Sequence, residues 1–210
     1  MKNLKYLIID LDNTVYPESS GVFSKVNQRI NCYLEAKMGF PHEEVNPLRV
    51  KYFSQYGTTL RGLMIHYEID PKDYLDYVHD VDLNGLLSKD ERLDRILKKI
   101  PHKKIIFTNG SKAHAENVLK KLGILENFIF IFDIVAMDYM AKPHPQTYRK
   151  VLEKLNAEAE RCLYIDDIEK NLVPAKELGM KTILVSNDGH NGKPCADFII
   201  REIAEIEKLL

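Results

Sequence analysis

Short apolar runs recur along the chain and alternate with longer stretches whose apolar residues are spaced three or four apart. The short runs predict buried strands, and the longer stretches predict amphipathic helices. Strands that alternate with helices form βαβ units, which give a parallel sheet covered on both faces. The predicted strands are residues 4–10, 104–107, 130–135, 161–165, 181–185 and 198–200.

The stretch between the first and second predicted strands has helical patterning and no clear strand. We expect it to be a helical cap, residues 17–87, inserted into a core of residues 1–16 and 88–210. The predicted fold class is therefore α/β, a doubly wound parallel sheet with an inserted helical cap. The helices predicted in the cap are residues 18–37, 42–56, one that starts at Thr58, and 71–78.

Helices alternate with strands in the second half of the chain. Ser88 and Glu91 have the spacing of a capping box, which predicts Ser88 as the N-cap of the first of these helices. Three further helices are expected to end at Leu122, Leu155 and Leu178, and a last one at the end of the chain.

The composition is that of an ordinary globular protein, with 210 residues, 45% hydrophobic and 29% charged. The formal net charge of −1 gives no global field toward nucleic acid or an anionic membrane, and no apolar window approaches a membrane span. Cys32, Cys162 and Cys195 are odd in number and form no CxxC pair, and the N-terminus lacks the apolar length of a signal peptide. We therefore expect a cytoplasmic monomer with no nucleic-acid polymer or membrane as partner.

Polar side chains follow three predicted strands at the point where each strand ends. In open α/β sheets, ligands bind outside the carboxyl ends of the strands, so these side chains stand where chemistry is expected. Asp10 and Asp12 follow the first strand, Thr108 and Asn109 the second, and Asp166 and Asp167 the fourth, while Lys142 lies in the loop after the third.

Carboxylates this close together repel one another and stay ionised only beside a cation, for which Mg²⁺ is the natural partner of oxygen ligands. The set matches phosphoryl transfer through an aspartyl phosphate. One carboxylate attacks phosphorus, and a second moves the proton of the leaving oxygen and of water. Mg²⁺ offsets the charge, while a hydroxyl and an ammonium hold the phosphoryl oxygens.

Taken together, these residues resemble the four motifs of the haloacid dehalogenase-like hydrolase superfamily, in the same order. The resemblance implies a Rossmann-like core, Asp10 as nucleophile and Asp12 as acid/base. The motifs are Asp10-Leu11-Asp12-Asn13-Thr14, Thr108-Asn109-Gly110, Lys142-Pro143, and Asp166-Asp167 with Asn171.

The resemblance also implies how the other motif residues act. Mg²⁺ would be held by Asp10, by the backbone carbonyl of Asp12 and by one carboxylate of the Asp166–Asp167 pair. We favour Asp167 as the direct ligand and Asp166 as the residue behind it. Phosphate would be bound by Thr108, Asn109 and Lys142.

The sequence is similar to the pyrimidine 5′-nucleotidase-like branch of that superfamily, through residues 52–63 and 79–83 of the cap and through residues 12–17. This similarity implies a small-molecule substrate, a nucleoside monophosphate such as UMP or CMP, beneath a mobile lid. Tyr56 and Arg61 are candidates for contacts to the base or sugar, and a plain surface role is equally open for both.

Other interpretations of single residues remain open. Thr108 has the residue type of a helix N-cap, and the same helix N-terminus would serve a phosphate. Asn171 is either an N-cap or a residue that supports the active site. Lys142 has the alternative of a solvated loop lysine.

Four other functions remain open at this point. The same mechanism would serve another phosphomonoester, such as phosphoglycolate or a sugar phosphate. A phosphomutase would also use both aspartates. Haloacid dehalogenation needs neither a metal nor an acid at position 12. A non-catalytic module that binds a phosphate ligand is the non-enzyme alternative.

Overall fold

A single parallel sheet organises the molecule. The computed structural model describes residues 3–186 and 196–210. Its strands run in the order β3-β2-β1-β4-β5-β6, and every neighbouring pair is parallel, which confirms the doubly wound α/β class. The strands are Tyr6–Ile9 (β1), Lys103–Phe107 (β2), Phe128–Phe132 (β3), Cys162–Asp166 (β4), Lys181–Val185 (β5) and Phe198–Ile200 (β6).

Five α-helices lie between β1 and β2 in sequence, and the last of them leads into β2. They are Val22–Cys32 (α1), His42–Tyr56 (α2), Thr59–His66 (α3), Pro71–Val78 (α4) and Glu91–Lys99 (α5). The remaining α-helices of the described chain are Lys112–Leu122 (α6), Pro145–Leu155 (α7) and Glu169–Glu177 (α8). Short 3₁₀ segments cover Glu18–Ser20, Leu125–Asn127, Ala159–Arg161 and Ile203–Lys208, and Tyr33–Lys37 is π-helical.

Two apolar cores cover the two faces of the sheet. All four residues of β1 are buried and alternate between the faces, with Tyr6 and Ile8 in one core and Leu7 and Ile9 in the other. The first core includes residues of α2, α3, α4, α7 and α8, while the second includes residues of α5 and α6. Three of the inserted helices α1–α4, namely α2, α3 and α4, therefore continue the core of one face of the sheet, whereas Val22 of α1 belongs to the other core.

Several predicted bounds differ from the structure. The helix predicted over residues 18–37 is divided, because Gly21 has a φ of 79° and separates a 3₁₀ turn from α1. The third strand, predicted over 130–135, is β3 at Phe128–Phe132, and the last predicted helix is only the 3₁₀ segment Ile203–Lys208.

The predicted capping box at Ser88 is wrong. The helix begins two residues later than that box requires, and its N-cap is Asp90, whose Oδ1 accepts a hydrogen bond of 2.8 Å from the backbone N–H of Leu93. Asp90 therefore satisfies the backbone N–H group of Leu93 in the first turn, whereas the predicted capping box had assigned the capping role to Ser88.

Within the described residues, Cys32 is exposed and Cys162 is buried, and both are free thiols. Cys195 lies outside the described residues. Among the helices of 3–186 and 196–210, none combines the length and the apolar run needed to cross a bilayer.

The packing of α2 on α3 generates a prediction. A Cβ atom on Gly62 would lie 2.2 Å from Cγ of the buried Tyr52, far inside van der Waals contact. We expect Gly62→Ala to lower the melting temperature, because overpacking costs about 1–3 kcal/mol and outweighs the gain of roughly 0.5–1 kcal/mol that alanine brings to an open helix. Thermal unfolding measures this, with Gln55→Ala on the exposed face of α2 as control. An unchanged or raised melting temperature would contradict the predicted clash.

Candidate active site

The carboxyl ends of β1, β2 and β4 border a cavity of about 810 Å³. The inserted helices close its other side, through residues of α1, α2, α3 and α4. Asp166 ends β4 directly behind the cavity and is fully buried. The cavity brings together seven of the predicted site residues: Asp10, Asp12, Thr108, Asn109, Lys142, Asp167 and Asn171.

A sharp turn follows β1. The N–H of Val15 donates to the carbonyl of Leu11 over 2.9 Å, and Asn13 adopts a left-handed conformation with a φ of 59°. Asparagine tolerates this conformation better than most residues. Because the chain turns at once, Asp10 and Asp12 both line the cavity.

Lys142 is buried at the centre of the site. Its Nζ lies 2.6 Å from Oδ1 of Asp10 and 3.0 Å from Oδ2 of Asp166, and it donates to the carbonyl of Phe107 over 2.8 Å. Burial alone would lower the pKa of Lys142, but Asp10 and Asp166 raise it above its usual value. Lys142 is therefore a fixed positive charge and not a solvated loop lysine.

Asn109 holds the loop that carries this lysine. Its Oδ1 accepts from the backbone N–H of Lys142 over 2.8 Å, and its Nδ2 donates to the carbonyl of Lys142 over 3.2 Å. Both ends of the side chain are used in this way. The side chain of Asn109 therefore positions Lys142, and the expected binding of phosphate by Asn109 stays a prediction.

Both oxygens of Asp166 are occupied by donors from the protein. Oδ1 accepts from the N–H of Ile168 over 2.8 Å and from Nδ2 of Asn171 over 3.1 Å, and Oδ2 accepts from Lys142 and from the hydroxyl of Tyr164. Asn171 is not an N-cap, because α8 starts at Glu169 with Ile168 in the capping position. Asn171 instead fixes Asp166.

Asp167 has fewer hydrogen-bond donors around its carboxylate than Asp166 has. It lines the cavity and is half-buried, and its Oδ1 accepts from the Thr14 hydroxyl over 3.3 Å. Burial and the charge of Asp166 raise the pKa of Asp167 to about 7. Its charged form therefore needs a counter-charge that the neighbouring side chains do not fully supply.

The donor set suits a divalent cation. Asp10, Asp166 and Asp167 each offer a carboxylate oxygen, and these oxygens lie within 4.8 Å of one another. When all three carboxylates are ionised, the ammonium of Lys142 balances one of them and leaves two negative charges for a cation to balance. Hard oxygen ligands with excess negative charge fit Mg²⁺.

The pKa of Asp10 points the same way. Burial raises it well above its usual value, and although Lys142 opposes that shift, the charges of Asp166 and Asp167 add to it. A cation beside these carboxylates would bring the pKa of Asp10 down and favour the ionised form that a nucleophile requires.

Asp12 has partners that the sequence did not suggest. Its Oδ1 accepts from the hydroxyl of Tyr16 over 2.5 Å and faces Nε2 of His114 at 2.7 Å. Burial alone would raise the pKa of Asp12, but His114 and Tyr16 outweigh it and hold the pKa below its usual value. The clue for His114 is its place in the first turn of α6, which starts just beyond Thr108 and Asn109.

His79 completes this cluster. Its ring stacks on that of His114 with 4.5 Å between centroids and 17° between planes. Burial and the neighbouring His114 lower the pKa of His79 to about 3, so the ring is neutral at physiological pH. His79 directly follows α4, so the inserted helices contact the group that holds Asp12.

Thr108 is buried, and its Oγ1 accepts from the N–H of Gly110 over 2.9 Å. It is not a helix cap, because Ser111 is the N-cap of α6 and accepts from the N–H of His114. The hydroxyl proton of Thr108 is therefore available to a ligand in the cavity.

The two predicted cap residues do not reach the cavity. Tyr56 turns its hydroxyl to Nε2 of His66 at 2.8 Å, and neither Tyr56 nor Arg61 lines the cavity wall. Both residues flank the lining segment of 57–60, so the surface role that the sequence left open is favoured, and their contact to a base or sugar stays a prediction. The side chains of the inserted helices that line the cavity include Phe23, Asn27, Arg49, Val50 and Phe53.

The end of helix α2 contacts the loop that carries Lys142. Gly57 ends α2 with a φ of 83°, in the left-handed region that favours glycine. A Cβ atom there would lie 2.8 Å from the carbonyl oxygen of Lys142. The contact is thus between two backbones and excludes any side chain at position 57.

Comparisons with known proteins define the family. The family model described as haloacid dehalogenase-like hydrolase matches residues 4–179. Pyrophosphatase PpaX of Bacillus mycoides is 32% identical over 180 residues, which cover 86% of this chain and 82% of that protein. Glyceraldehyde 3-phosphate phosphatase of Methanocaldococcus jannaschii is 26% identical over 196 residues, covering 87% and 85%. The chain belongs to the haloacid dehalogenase-like hydrolases.

Two further comparisons agree with this. Phosphate metabolism protein 8 of Saccharomyces cerevisiae is 29% identical over 198 residues, which span 86% of this chain but only 61% of the yeast protein's length. The crystal structure of a HAD phosphatase from Thermococcus onnurineus shares the fold with a TM-score of 0.67 at 19% identity, covering 98% of this chain and 97% of that one.

The environment of Asp167 predicts a pH-dependent stability. Folding raises the pKa of Asp167, so between pH 3.8 and about 7 this carboxyl group binds more protons in the folded protein than in the unfolded chain. The metal-free protein therefore loses stability as the pH rises through this window. We expect Asp167→Asn, which removes the buried charge, to melt at a higher temperature than the wild type at pH 8 in EDTA. At pH 4 the difference should be much smaller.

Thermal melts at the two pH values measure this, with Asp76→Asn on the exposed surface of α4 as control. Added Mg²⁺ should raise the melting temperature of the wild type more than that of Asp167→Asn. An Asp167→Asn protein that is less stable than the wild type at pH 8 without metal would contradict the prediction.

Proposed function

We propose that this protein is a Mg²⁺-dependent phosphomonoesterase that works through an aspartyl-phosphate intermediate. The observation that carries the proposal is the placement of Asp10 and Asp12 at the cavity, with Lys142 against Asp10 and the carboxylate of Asp167 nearby. The names of two relatives, a glyceraldehyde 3-phosphate phosphatase and a pyrophosphatase, support phosphate-ester or phosphoanhydride hydrolysis.

In this proposal, Asp10 attacks the phosphorus atom and Asp12 gives a proton to the leaving oxygen. Asp12 is ionised in the free protein, and the proton that it gives comes from the monoanionic phosphate ester. Asp12 then takes a proton from the water that hydrolyses the phospho-enzyme, and this proton leaves with the phosphate product, which returns both residues to their starting state. Lys142 and the hydroxyl of Thr108 hold the phosphoryl oxygens as charge builds on them.

The metal would be held by Asp10, the backbone carbonyl of Asp12 and Asp167, with Asp166 behind them. We prefer Asp167 as the direct ligand because both oxygens of Asp166 already accept hydrogen bonds from the protein. When bound, Mg²⁺ supplies positive charge that offsets the repulsion between the nucleophile and the phosphoryl group.

For the substrate, we propose nucleoside 5′-monophosphates, with pyrimidines preferred, following the similarity of the inserted segment to the nucleotidase-like branch. A cavity of about 810 Å³ has room for such a ligand, and its wall combines apolar side chains with the amide of Asn27 and the guanidinium of Arg49. We further propose that residues 17–87 act as the mobile cap and that the protein is a cytoplasmic monomer.

The competing functions have less support. Dehalogenation on this fold needs no acid at position 12, whereas Asp12 here is held by Tyr16 and His114. A phosphomutase would use the same aspartates and is separated only by its products. A binding module would not need Asp12 beside the nucleophile. Another small phosphomonoester remains the main alternative substrate.

One prediction of the proposed function concerns the substrate and the metal. We expect phosphate release to require Mg²⁺ and to be fastest with UMP and CMP, because the cavity has room for a base and a sugar and the inserted segment is similar to the pyrimidine nucleotidase-like branch. The assay would compare these with AMP, GMP, phosphoglycolate, sugar phosphates, glyceraldehyde 3-phosphate and pyrophosphate, each with Mg²⁺ or with EDTA. Faster release from a sugar phosphate or phosphoglycolate would keep the mechanism and reject the nucleotidase proposal.

Another prediction of the proposed function concerns the nucleophile. We expect Asp10→Asn to lower kcat by at least about three orders of magnitude, as the loss of a nucleophile does in other enzymes. Steady-state kinetics on the best substrate of the panel measure this, with Asp76→Asn as a matched control. If Asp10→Asn kept more than about a tenth of the activity, the assignment of Asp10 would be wrong.

A further inference from the structure

The two oxygens of Asp12 have different surroundings. Oδ1 accepts a hydrogen bond of 2.5 Å from the hydroxyl of Tyr16 and lies 2.7 Å from Nε2 of His114. Oδ2 faces Gly110, where a Cβ atom would lie 3.6 Å away. One oxygen is thus tied to the protein, while the other faces a residue without a side chain at the cavity wall.

His114 is itself held in place. Its side chain is 2% exposed, and its backbone N–H donates to Oγ of Ser111 over 3.3 Å. The ring of His79 covers one face of the imidazole, and Nδ1 of His79 lies 3.0 Å from the same Ser111 hydroxyl. The direction of Nε2 is therefore fixed from α6 and from the segment after α4.

We propose that Tyr16 and His114 are positioning residues for the acid/base Asp12, and that they hold Oδ1 so that Oδ2 carries the transferred proton. This inference rests on the phosphatase mechanism proposed above. Asp12 is a carboxylate in the free protein, and Oδ2 takes up the proton that the monoanionic phosphate ester brings. The Oδ2–H bond then breaks as the leaving oxygen takes this proton, and Asp12 becomes a carboxylate again. In the second step, Oδ2 takes a proton from the attacking water.

The physical reason is that Oδ1 is a hydrogen-bond acceptor in both forms of Asp12. In the acid it is the carbonyl oxygen, and in the carboxylate it shares the negative charge. The hydroxyl of Tyr16 and the N–H of His114 therefore need no reorientation during the step, and their bonds strengthen as charge develops. Both donors act on the proton transfer, and among the hydrogen bonds of the described residues neither joins its side chain to Asp10, Asp166, Asp167 or Lys142.

The test compares two substrates that differ in their need for a proton. The p-nitrophenolate ion leaves without protonation, whereas an alcohol from an alkyl or nucleoside phosphate requires it. The parameter is kcat/KM, which covers the chain of steps up to release of the alcohol or phenol and excludes hydrolysis of the phospho-enzyme.

For His114→Ala, we expect kcat/KM to fall about a hundredfold with the best alkyl or nucleoside phosphate of the panel and at most about threefold with p-nitrophenyl phosphate, since general acid catalysis contributes about 10²–10⁴. His114→Gln, which keeps an N–H donor, should recover part of the loss. Tyr16→Phe should show the same selectivity, and His42→Ala, on the exposed surface of α2, should show neither effect.

Equal losses with both substrates would overturn the proposal, because a merely structural role harms both reactions alike. Full activity of both His114→Ala and Tyr16→Phe would overturn it as well. If His114→Ala does not fold, Tyr16→Phe decides on the same criterion. Failure of the wild type to release phosphate from any substrate would reject the proposed function, and this inference with it.

Discussion

The ammonium group of Lys142 joins the parts of this site that would otherwise repel one another. It is buried against Asp10 after β1, the carbonyl of Phe107 in β2 and Asp166 at the end of β4. A buried carboxylate without a partner is costly, and here two share one cation. The carboxyl edge of the sheet therefore keeps its acidic residues because the loop after β3 brings a positive charge to them.

The four acidic residues of the site differ through their surroundings and not through their type. Asp166 is saturated by protein donors and serves as a fixed element of the structure. The pKa of Asp167 is raised by burial and by Asp166, while the pKa values of Asp10 and Asp12 are shifted in opposite directions. Such separation of pKa values is how one residue type takes up different tasks in one site.

The sheet and the acidic edge follow from the sequence because both are local patterns. Apolar runs that end in Asp10, Thr108 and Asp166 identify the strands and the residues that follow them. The partners of Asp12 could not be predicted, because His114 lies 102 positions away and meets it only through the packing of α6.

The inserted helices were the least predictable part of the cavity. Gly21 divides α1 from a 3₁₀ turn, and the orientation of each helix decides which side chains face the site. Tyr56 and Arg61 were suggested by the similarity of the cap sequence to the nucleotidase-like branch, whereas the arginine that lines the cavity is Arg49 on α2. Rotation about a helix axis is set by tertiary packing, and α2, whose buried residues are only Val45 and Tyr52, has too weak an amphipathic pattern to specify it.

The contact between Gly57 and the carbonyl of Lys142 limits which caps this core can accept. The end of α2 approaches the lysine loop so closely that backbone meets backbone. A helical insertion transplanted from another hydrolase would seat here only if it also placed a residue without a side chain at that point. Exchange of the helices between β1 and β2 for those of another hydrolase therefore depends on this steric match between Gly57 and the carbonyl of Lys142, whichever residues line the cavity.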